Sequence, residues 1–125
     1  MTTTVLLIED DPEVRQTVRR MLESWKLVVI EAENGLIGLA LFRDHRPSFV
    51  ITDIVMPEMD GIEALRALRA IDPDAVVIAM SGGGDDKYPN PLALARELGV
   101  VAALEKPFRR QQLRDAVDRI LAGVI

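Results

Sequence analysis

Five short apolar runs alternate along the chain with five helical patterns, and this alternation restricts the chain to few folds. The runs are apolar throughout rather than at every second position, which is typical of strands covered on both faces. Strict alternation predicts a parallel sheet with helices on both faces, because each crossover returns over the sheet in the right-handed sense. We therefore predict a doubly wound five-stranded α/β fold. The predicted strands are Val5–Ile8, Leu27–Ile30, Phe49–Thr52, Ala75–Met80 and Val100–Leu104.

Capping residues indicate where the helices begin. Asp11 stands before Pro12, a pair that favours an N-cap followed by the first helical position, so we assign Asp11 to capping rather than to a metal site. The other predicted helices run from Gly35 to about His45 after Asn34, from Asp60 with a capping-box-like partner at Glu63, from Asn90 and Pro91 to Leu98 with Gly99 beyond the end, and through Leu113, Ala116, Val117, Ile120, Leu121 and Val124.

Charged residues follow three of the predicted strands. Glu9 and Asp10 come after the first, Asp53 closes the third, and Lys106 follows the fifth. In open sheets of this class, ligands bind outside the carboxyl ends of the strands, so we expect three carboxylates and one amine to converge there. Carboxylates packed together repel one another unless a cation offsets their charge, and Mg²⁺ prefers oxygen ligands. The sequence therefore predicts a metal-and-phosphate site.

Composition narrows the function classes further. A chain of 125 residues that is 49% apolar fits one compact domain with its own core. The absence of cysteine excludes disulfides and thiolate metal sites and fits a cytoplasmic protein. We find no signal segment and no stretch of membrane-spanning length, so we expect no membrane partner. The net charge of −5 and the few aromatic residues argue against binding to nucleic acid.

Several spaced motifs stand in the predicted elements, at Glu9-Asp10, Arg15, Asp53, Met56-Pro57, Asp60-Gly61, Ser81 and Lys106-Pro107-Phe108. Together they resemble the response regulator receiver domain (CheY-like) of two-component signal transduction. The resemblance covers essentially the whole chain and implies a flavodoxin-like (βα)5 sheet of order 2-1-3-4-5. We expect a single receiver domain over residues 1–125, without an effector domain in this chain, as a monomer or weak dimer.

The chemistry of these residue types agrees with a phosphoacceptor. A carboxylate can take up a phosphoryl group as an acyl phosphate when the phosphoryl oxygens are neutralised, and Asp53 is the predicted nucleophile. Lys106 and Ser81 would contact the phosphoryl oxygens through an amine and a hydroxyl. The predicted Mg²⁺ ligands are Asp10 and Asp53 directly, Glu9 through a bound water and, by resemblance, the backbone carbonyl of Val55.

The expected function is signalling rather than catalysis on another substrate. We expect a histidine kinase or histidine phosphotransfer protein as phosphoryl donor and a downstream protein as target. One departure leaves an alternative open: Ala103 stands where most receivers have an aromatic side chain that responds to phosphorylation. The readout could therefore differ and use the loop from Ser81 to Pro89, or the chain could be a binding module that signals without phosphorylation.

Two other classes are disfavoured by single positions. A phosphohydrolase of the haloacid-dehalogenase kind needs a second Asp two residues after the nucleophile, and Val55 stands there. A flavodoxin-type carrier holds phosphate in a Ser/Thr/Gly-rich loop after the first strand, whereas the acidic run Glu9 to Asp11 would repel phosphate.

Overall fold

The fold is a single five-stranded parallel sheet between two layers of helices. The computed structural model describes residues 2–56 and 59–123. The strands are β1 (Thr4–Ile8), β2 (Val28–Ala32), β3 (Phe49–Asp53), β4 (Val77–Ser81) and β5 (Ala102–Glu105). The helices are α1 (Pro12–Ser24), α2 (Gly35–His45), α3 (Gly61–Ile71), α4 (Pro91–Glu97) and α5 (Arg110–Leu121). The sheet order is β2-β1-β3-β4-β5, which confirms the predicted fold class and the order implied by the resemblance.

Both faces of the sheet are buried, which explains why the strands are apolar throughout. On one face, β1 and β3 pack against α1 and α5 through residues such as Leu22 and Val117. On the other face, α2 and α3 cover the sheet through residues such as Phe42 and Leu65, and α4 covers it through Ala95. The helices thus leave the ends of the strands as the place where a ligand can approach the sheet.

Three predicted strands begin later in the structure, because hydrogen bonds hold their first residues in turns. Leu27 donates its N–H to Leu22 at the end of α1, so β2 begins at Val28. Ala75 donates to Asp72 in the turn after α3, and β4 begins two residues later. Val100 donates to Ala95 of α4. The predicted apolar runs do contain the three strands, but the first residues of each run lie in the turn that ends the preceding helix.

The predicted caps are mostly confirmed. Asp11 accepts hydrogen bonds from the backbone N–H groups of Glu13 and Val14, and Asn34 caps α2 in the same way. Asn90 and Pro91 open α4 as predicted, with Asn90 at the N-cap position but without a capping hydrogen bond from its side chain. The helix ends at Glu97 rather than at the predicted Leu98.

At α3, Asp60 accepts from the N–H of Glu63, but the Glu63 side chain contacts Lys87 instead of completing the predicted box. The backbone at Gly99 has a φ of 85°, in agreement with its place after a helix end. The Lys106–Pro107 peptide is cis. Val124, predicted in the fifth helix, and Pro57, predicted in the Met-Pro pair, lie outside the described residues.

Candidate metal and phosphate site

The three predicted carboxylates converge at the carboxyl edge of the sheet. β1 and β3 are adjacent and parallel, with Ile8 opposite Thr52, so the residues that follow the two strands are neighbours. Carboxylate oxygens of Glu9, Asp10 and Asp53 lie within 4.8 Å of one another. The juxtaposition predicted from the strand ends is therefore present in the structure.

Lys106 supplies the positive charge inside this cluster. Its Nζ donates to Oε1 of Glu9 and, over 3.1 Å, to Oδ2 of Asp53. Its backbone N–H donates to the carbonyl of Ser81 over 2.8 Å, which fixes the turn after β5 to the end of β4. Glu9 is completely buried and Asp53 is 5% exposed, whereas Asp10 is exposed. The amine thus lies between two buried carboxylates, and the third faces solvent.

Burial and the interaction with Asp53 have the largest effects on the pKa of the Glu9 carboxyl. Burial, with the neighbouring Asp53 in second place, raises the pKa of Glu9 from 4.5 to about 8, although Lys106 opposes the shift. For Lys106, burial alone would lower the pKa, but the hydrogen bond to Glu9 and the charges of both carboxylates raise it above the ordinary lysine value. The amine is therefore fully charged at neutral pH, and the cluster still carries excess negative charge.

The residues present fit a bound divalent cation. Oε2 of Glu9 is buried and has no hydrogen-bond partner among the residues that the structure describes. A buried carboxylate oxygen without a partner is costly unless water or an ion completes it. The ligand atoms that the three carboxylates offer are oxygens, as hard cations such as Mg²⁺ require. An open pocket of about 410 Å³ leads to Asp10 and Asp53, and Val55 and Lys106 also line it.

Ser81 reaches the site with its backbone but directs its hydroxyl elsewhere. It ends β4 beside Asp53, as predicted, yet it is 1% exposed and its hydroxyl is engaged within the loop that follows. The hydroxyl donates to the carbonyl of Gly83 over 2.9 Å, and the N–H of Gly83 lies 3.3 Å from the same oxygen. A contact between Ser81 and a phosphoryl oxygen would require this small turn to open.

Neighbouring groups hold the Asp53 carboxylate in place. Its Oδ1 accepts from the N–H of Ile54 over 2.8 Å, and the Thr52 hydroxyl donates to its backbone carbonyl. Gly61, at the start of α3, donates to the carbonyl of Ile54 over 2.8 Å, and a Cβ at this position would overlap the Asp53 carbonyl. The Asp60-Gly61 motif thus brings α3 into direct contact with the Asp53 backbone.

Arg15 supports the acidic pair from α1. Its guanidinium donates to the carbonyl of Glu9 over 2.8 Å and lies 3.8 Å from the Glu31 carboxylate on β2. The sequence marked Arg15 only as part of a motif, whereas the structure shows that it joins the β1–α1 connection to the edge strand.

Comparison with known proteins agrees with this geometry. The sequence profile described as "Response regulator receiver domain" matches residues 5–118. The chain belongs to the response regulator receiver domain family. This assignment confirms the resemblance and places the receiver domain in two-component signalling, in which the family works with histidine kinases and downstream targets.

Individual relatives cover the chain almost completely. The chain is 31% identical to the chemotaxis protein CheY of Halobacterium salinarum, over 95% of its own length and 97% of that protein. It is 34% identical to the probable C4-dicarboxylate response regulator DctR of Priestia megaterium, of which it spans only 50%. A receiver domain crystal structure from Clostridium thermocellum superimposes with a TM-score of 0.87 at 29% identity, covering 98% of this chain and 96% of that one.

Ala103, which stands where most receivers have an aromatic side chain, has open space beside it. Ala103 is opposite Ala79 in the sheet, and Ala79 packs with Ala95 of α4. A cavity of about 260 Å³ lies beside Ala103, lined by Ser81, Gly83, Gly84 and Pro89 among others.

In the described ranges 2–56 and 59–123, no helix has the length and apolarity that a membrane span requires.

Proposed function

We propose that this receiver domain is a Mg²⁺-dependent phosphoacceptor that takes a phosphoryl group onto Asp53. The observation that carries the proposal is the placement of the Asp53 carboxylate beside Glu9, Asp10 and Lys106, in a pocket open to solvent. The donor is a phosphohistidine on a histidine kinase or a histidine phosphotransfer protein, as family membership suggests.

The transfer is a displacement at phosphorus. A carboxylate oxygen of Asp53 forms the new P–O bond while the P–N bond to the donor imidazole breaks, and the bonding electron pair returns to the imidazole nitrogen. Lys106 already contacts Oδ2 of Asp53, so its amine is within reach of a phosphoryl oxygen on the same carboxylate. Ser81 would donate its hydroxyl to another phosphoryl oxygen after it leaves Gly83.

The same cluster would hold the metal. In this proposal Asp10, Asp53 and the backbone carbonyl of Val55 are direct ligands, and Glu9 holds a metal-bound water. The exposure of Asp10 and the burial of Glu9 support this division. Bound Mg²⁺ would supply positive charge that offsets both the carboxylates and the transferring phosphoryl oxygens.

The protein signals by a change of surface in this proposal. It assists only its own phosphorylation and dephosphorylation, and it acts on no other substrate as an enzyme. A downstream protein would read the altered surface. To shift the ratio of two conformations from about 1:99 to 99:1, phosphorylation must favour one of them by roughly 5.5 kcal/mol. The rearrangement of one hydroxyl and one amine would therefore shift such an equilibrium only in part.

Intact mass spectrometry after incubation with acetyl phosphate and Mg²⁺ tests the proposal. We expect one phosphoryl adduct in the parent protein and none in the presence of EDTA or in Asp53→Asn. Asp74→Asn is the matched control, because Asp74 is exposed in the turn after α3. An adduct that survives Asp53→Asn would refute the nucleophile, and no adduct in the parent would favour a binding module that signals without phosphorylation. The specific observation in favour of that alternative is that Ala103 stands where most receivers have an aromatic side chain.

A further inference from the structure

The loop between β4 and α4, residues 82–90, contains a compact turn. Oδ1 of Asp85 accepts from the N–H of Tyr88 over 2.6 Å, and the Tyr88 carbonyl accepts from the N–H of Asp85 over 3.0 Å. Gly84 packs so closely on the Tyr88 and Pro89 carbonyls that a Cβ would overlap them. The segment from Gly84 to Pro89 is therefore closed on itself by backbone contacts.

One end of this loop is joined to the candidate site through Ser81. The Ser81 hydroxyl and Gly83 share the two contacts described above, and Gly83 is followed directly by the packed Gly84. A hydroxyl has a single hydrogen to donate. If Ser81 donates to a phosphoryl oxygen, it can no longer donate to the Gly83 carbonyl, and only the longer contact from the Gly83 N–H would hold the start of the loop to Ser81.

The other end of the loop lies against α3. Nζ of Lys87 is 3.4 Å from Oδ2 of Asp60 and 3.4 Å from Oε1 of Glu63. The Tyr88 hydroxyl is 3.5 Å from Oδ1 of Asp60, and its ring packs on the cluster that contains Ile54. Burial, followed by the charge of Asp60, raises the pKa of this hydroxyl. Sequence reasoning missed these contacts, because their partners are 24 to 28 residues apart.

The start of α3 is also in contact with the phosphoacceptor. Asp60 caps the helix, and the adjacent Gly61 packs on the Asp53 carbonyl and donates to Ile54. Two routes thus lead from the candidate site to the contacts of Lys87 and Tyr88. Asp53 is connected to them through the start of α3, and Ser81 is connected to them through the loop. A change at the site would act on both routes.

We propose that Lys87 and Tyr88 form a latch on Asp60 and Glu63, which holds the unphosphorylated receiver and opens when Asp53 is phosphorylated. The inference rests on the proposed function and names its regulation. All three polar contacts are long, so the latch is weak enough to open reversibly. The cavity of about 260 Å³ beside Ala103, lined by Gly83, Gly84 and Pro89, gives the released loop space to move.

Tyr88 is the only tyrosine of the chain, so 3-fluorotyrosine labelling gives a single ¹⁹F resonance that reports on the latch. We expect acetyl phosphate and Mg²⁺ to move this resonance to a new position, in proportion to the adduct measured by intact mass in the same sample. Mg²⁺ alone is the control. An adduct with an unmoved resonance would overturn the latch and leave the proposed function intact, whereas the absence of an adduct would overturn both.

Variants of the latch give an independent kinetic test. Lys87→Met and Tyr88→Phe remove contacts that stabilise only the unphosphorylated state, so we expect adduct formation from acetyl phosphate to become faster, by roughly 3- to 10-fold. Lys26→Met is the matched control, because Lys26 is exposed and follows the far end of α1. Circular dichroism establishes that each variant is folded. Folded variants with the parent's rate would overturn the proposal.

Discussion

Replacement of Glu9 by Gln tests whether the buried carboxylate cluster destabilises the metal-free fold. Because the pKa of Glu9 is raised from 4.5 to about 8, the folded state binds a proton more tightly here than the unfolded chain does. The stability associated with this proton is fully present below pH 4.5 and is lost as the pH rises to about 8. Glu9→Gln keeps the shape of the side chain and cannot ionise, so it should remove this pH dependence.

The size of the effect follows from the same shift. Each pKa unit corresponds to about 1.4 kcal/mol, so the shift sets an upper limit of about 5 kcal/mol. The ionised Glu9 retains its contact with Lys106 and attracts counterions, which reduces the cost. We therefore expect Glu9→Gln to be more stable than the parent by about 2–3 kcal/mol near pH 8.5, which is roughly 8–12 °C in Tm for a domain of this size.

Thermal unfolding in EDTA, followed by circular dichroism near pH 5 and near pH 8.5, measures this difference. The gain in Glu9→Gln should be large at the higher pH and close to zero at the lower one. Millimolar Mg²⁺ should then stabilise the parent more than the variant, because the variant lacks a carboxylate for the metal-bound water. Glu13→Gln, at an exposed position on α1, is the control. Equal stability of the parent and Glu9→Gln near pH 8.5 would refute the reasoning.

Three further substitutions probe how the site and the fold around it are held. Lys106→Met removes the amine between two buried carboxylates, so the free energy of unfolding in EDTA near pH 8 should fall by about 2–4 kcal/mol. Mg²⁺ should restore part of this stability. An unchanged urea midpoint would contradict the prediction. Gly61→Ala should cost about 1–3 kcal/mol and slow adduct formation, whereas Gly82→Ala, where a Cβ has ordinary contacts, should not alter stability. Arg69→Met loses hydrogen bonds to three backbone carbonyls, so its free energy of unfolding in urea should fall by about 1–2 kcal/mol. Arg66→Met, at an exposed position on the same helix, is the control. Equal urea midpoints for the two variants would exclude a stabilising role for these hydrogen bonds.

Local sequence signals predicted most of the fold and the acidic part of the site. An N-cap is recognised from a few neighbouring residues, as the confirmed caps of Asp11 and Asn34 show. The sheet order came from the resemblance, and the meeting of Glu9 with Asp53 followed from parallel strands that end at one edge. Such features depend on short-range chemistry or on topology alone.

Features that depend on tertiary contacts were not predictable in the same way. The first residues of β2 and β5 were misplaced because Leu27 and Val100 bond back to the preceding helices. The orientation of the Ser81 hydroxyl toward Gly83 depends on the loop conformation. The contact between Lys87 and Asp60 joins two segments distant in sequence, and no periodicity or motif marks it.

The geometry of the cluster connects the stability of the receiver with its proposed chemistry. We expect the buried Glu9, with an unpartnered oxygen among the described residues, to destabilise the metal-free protein, because Lys106 offsets only part of the negative charge. A bound cation would then stabilise the fold and prepare Asp53 at once, because it would neutralise the same charges in both cases. A phosphoryl group on Asp53 would add new acceptors for Lys106 and weaken its contact with Glu9. The amine would then change partner without moving far, which explains how a small covalent change could alter contacts among the ends of β1, β3 and β5.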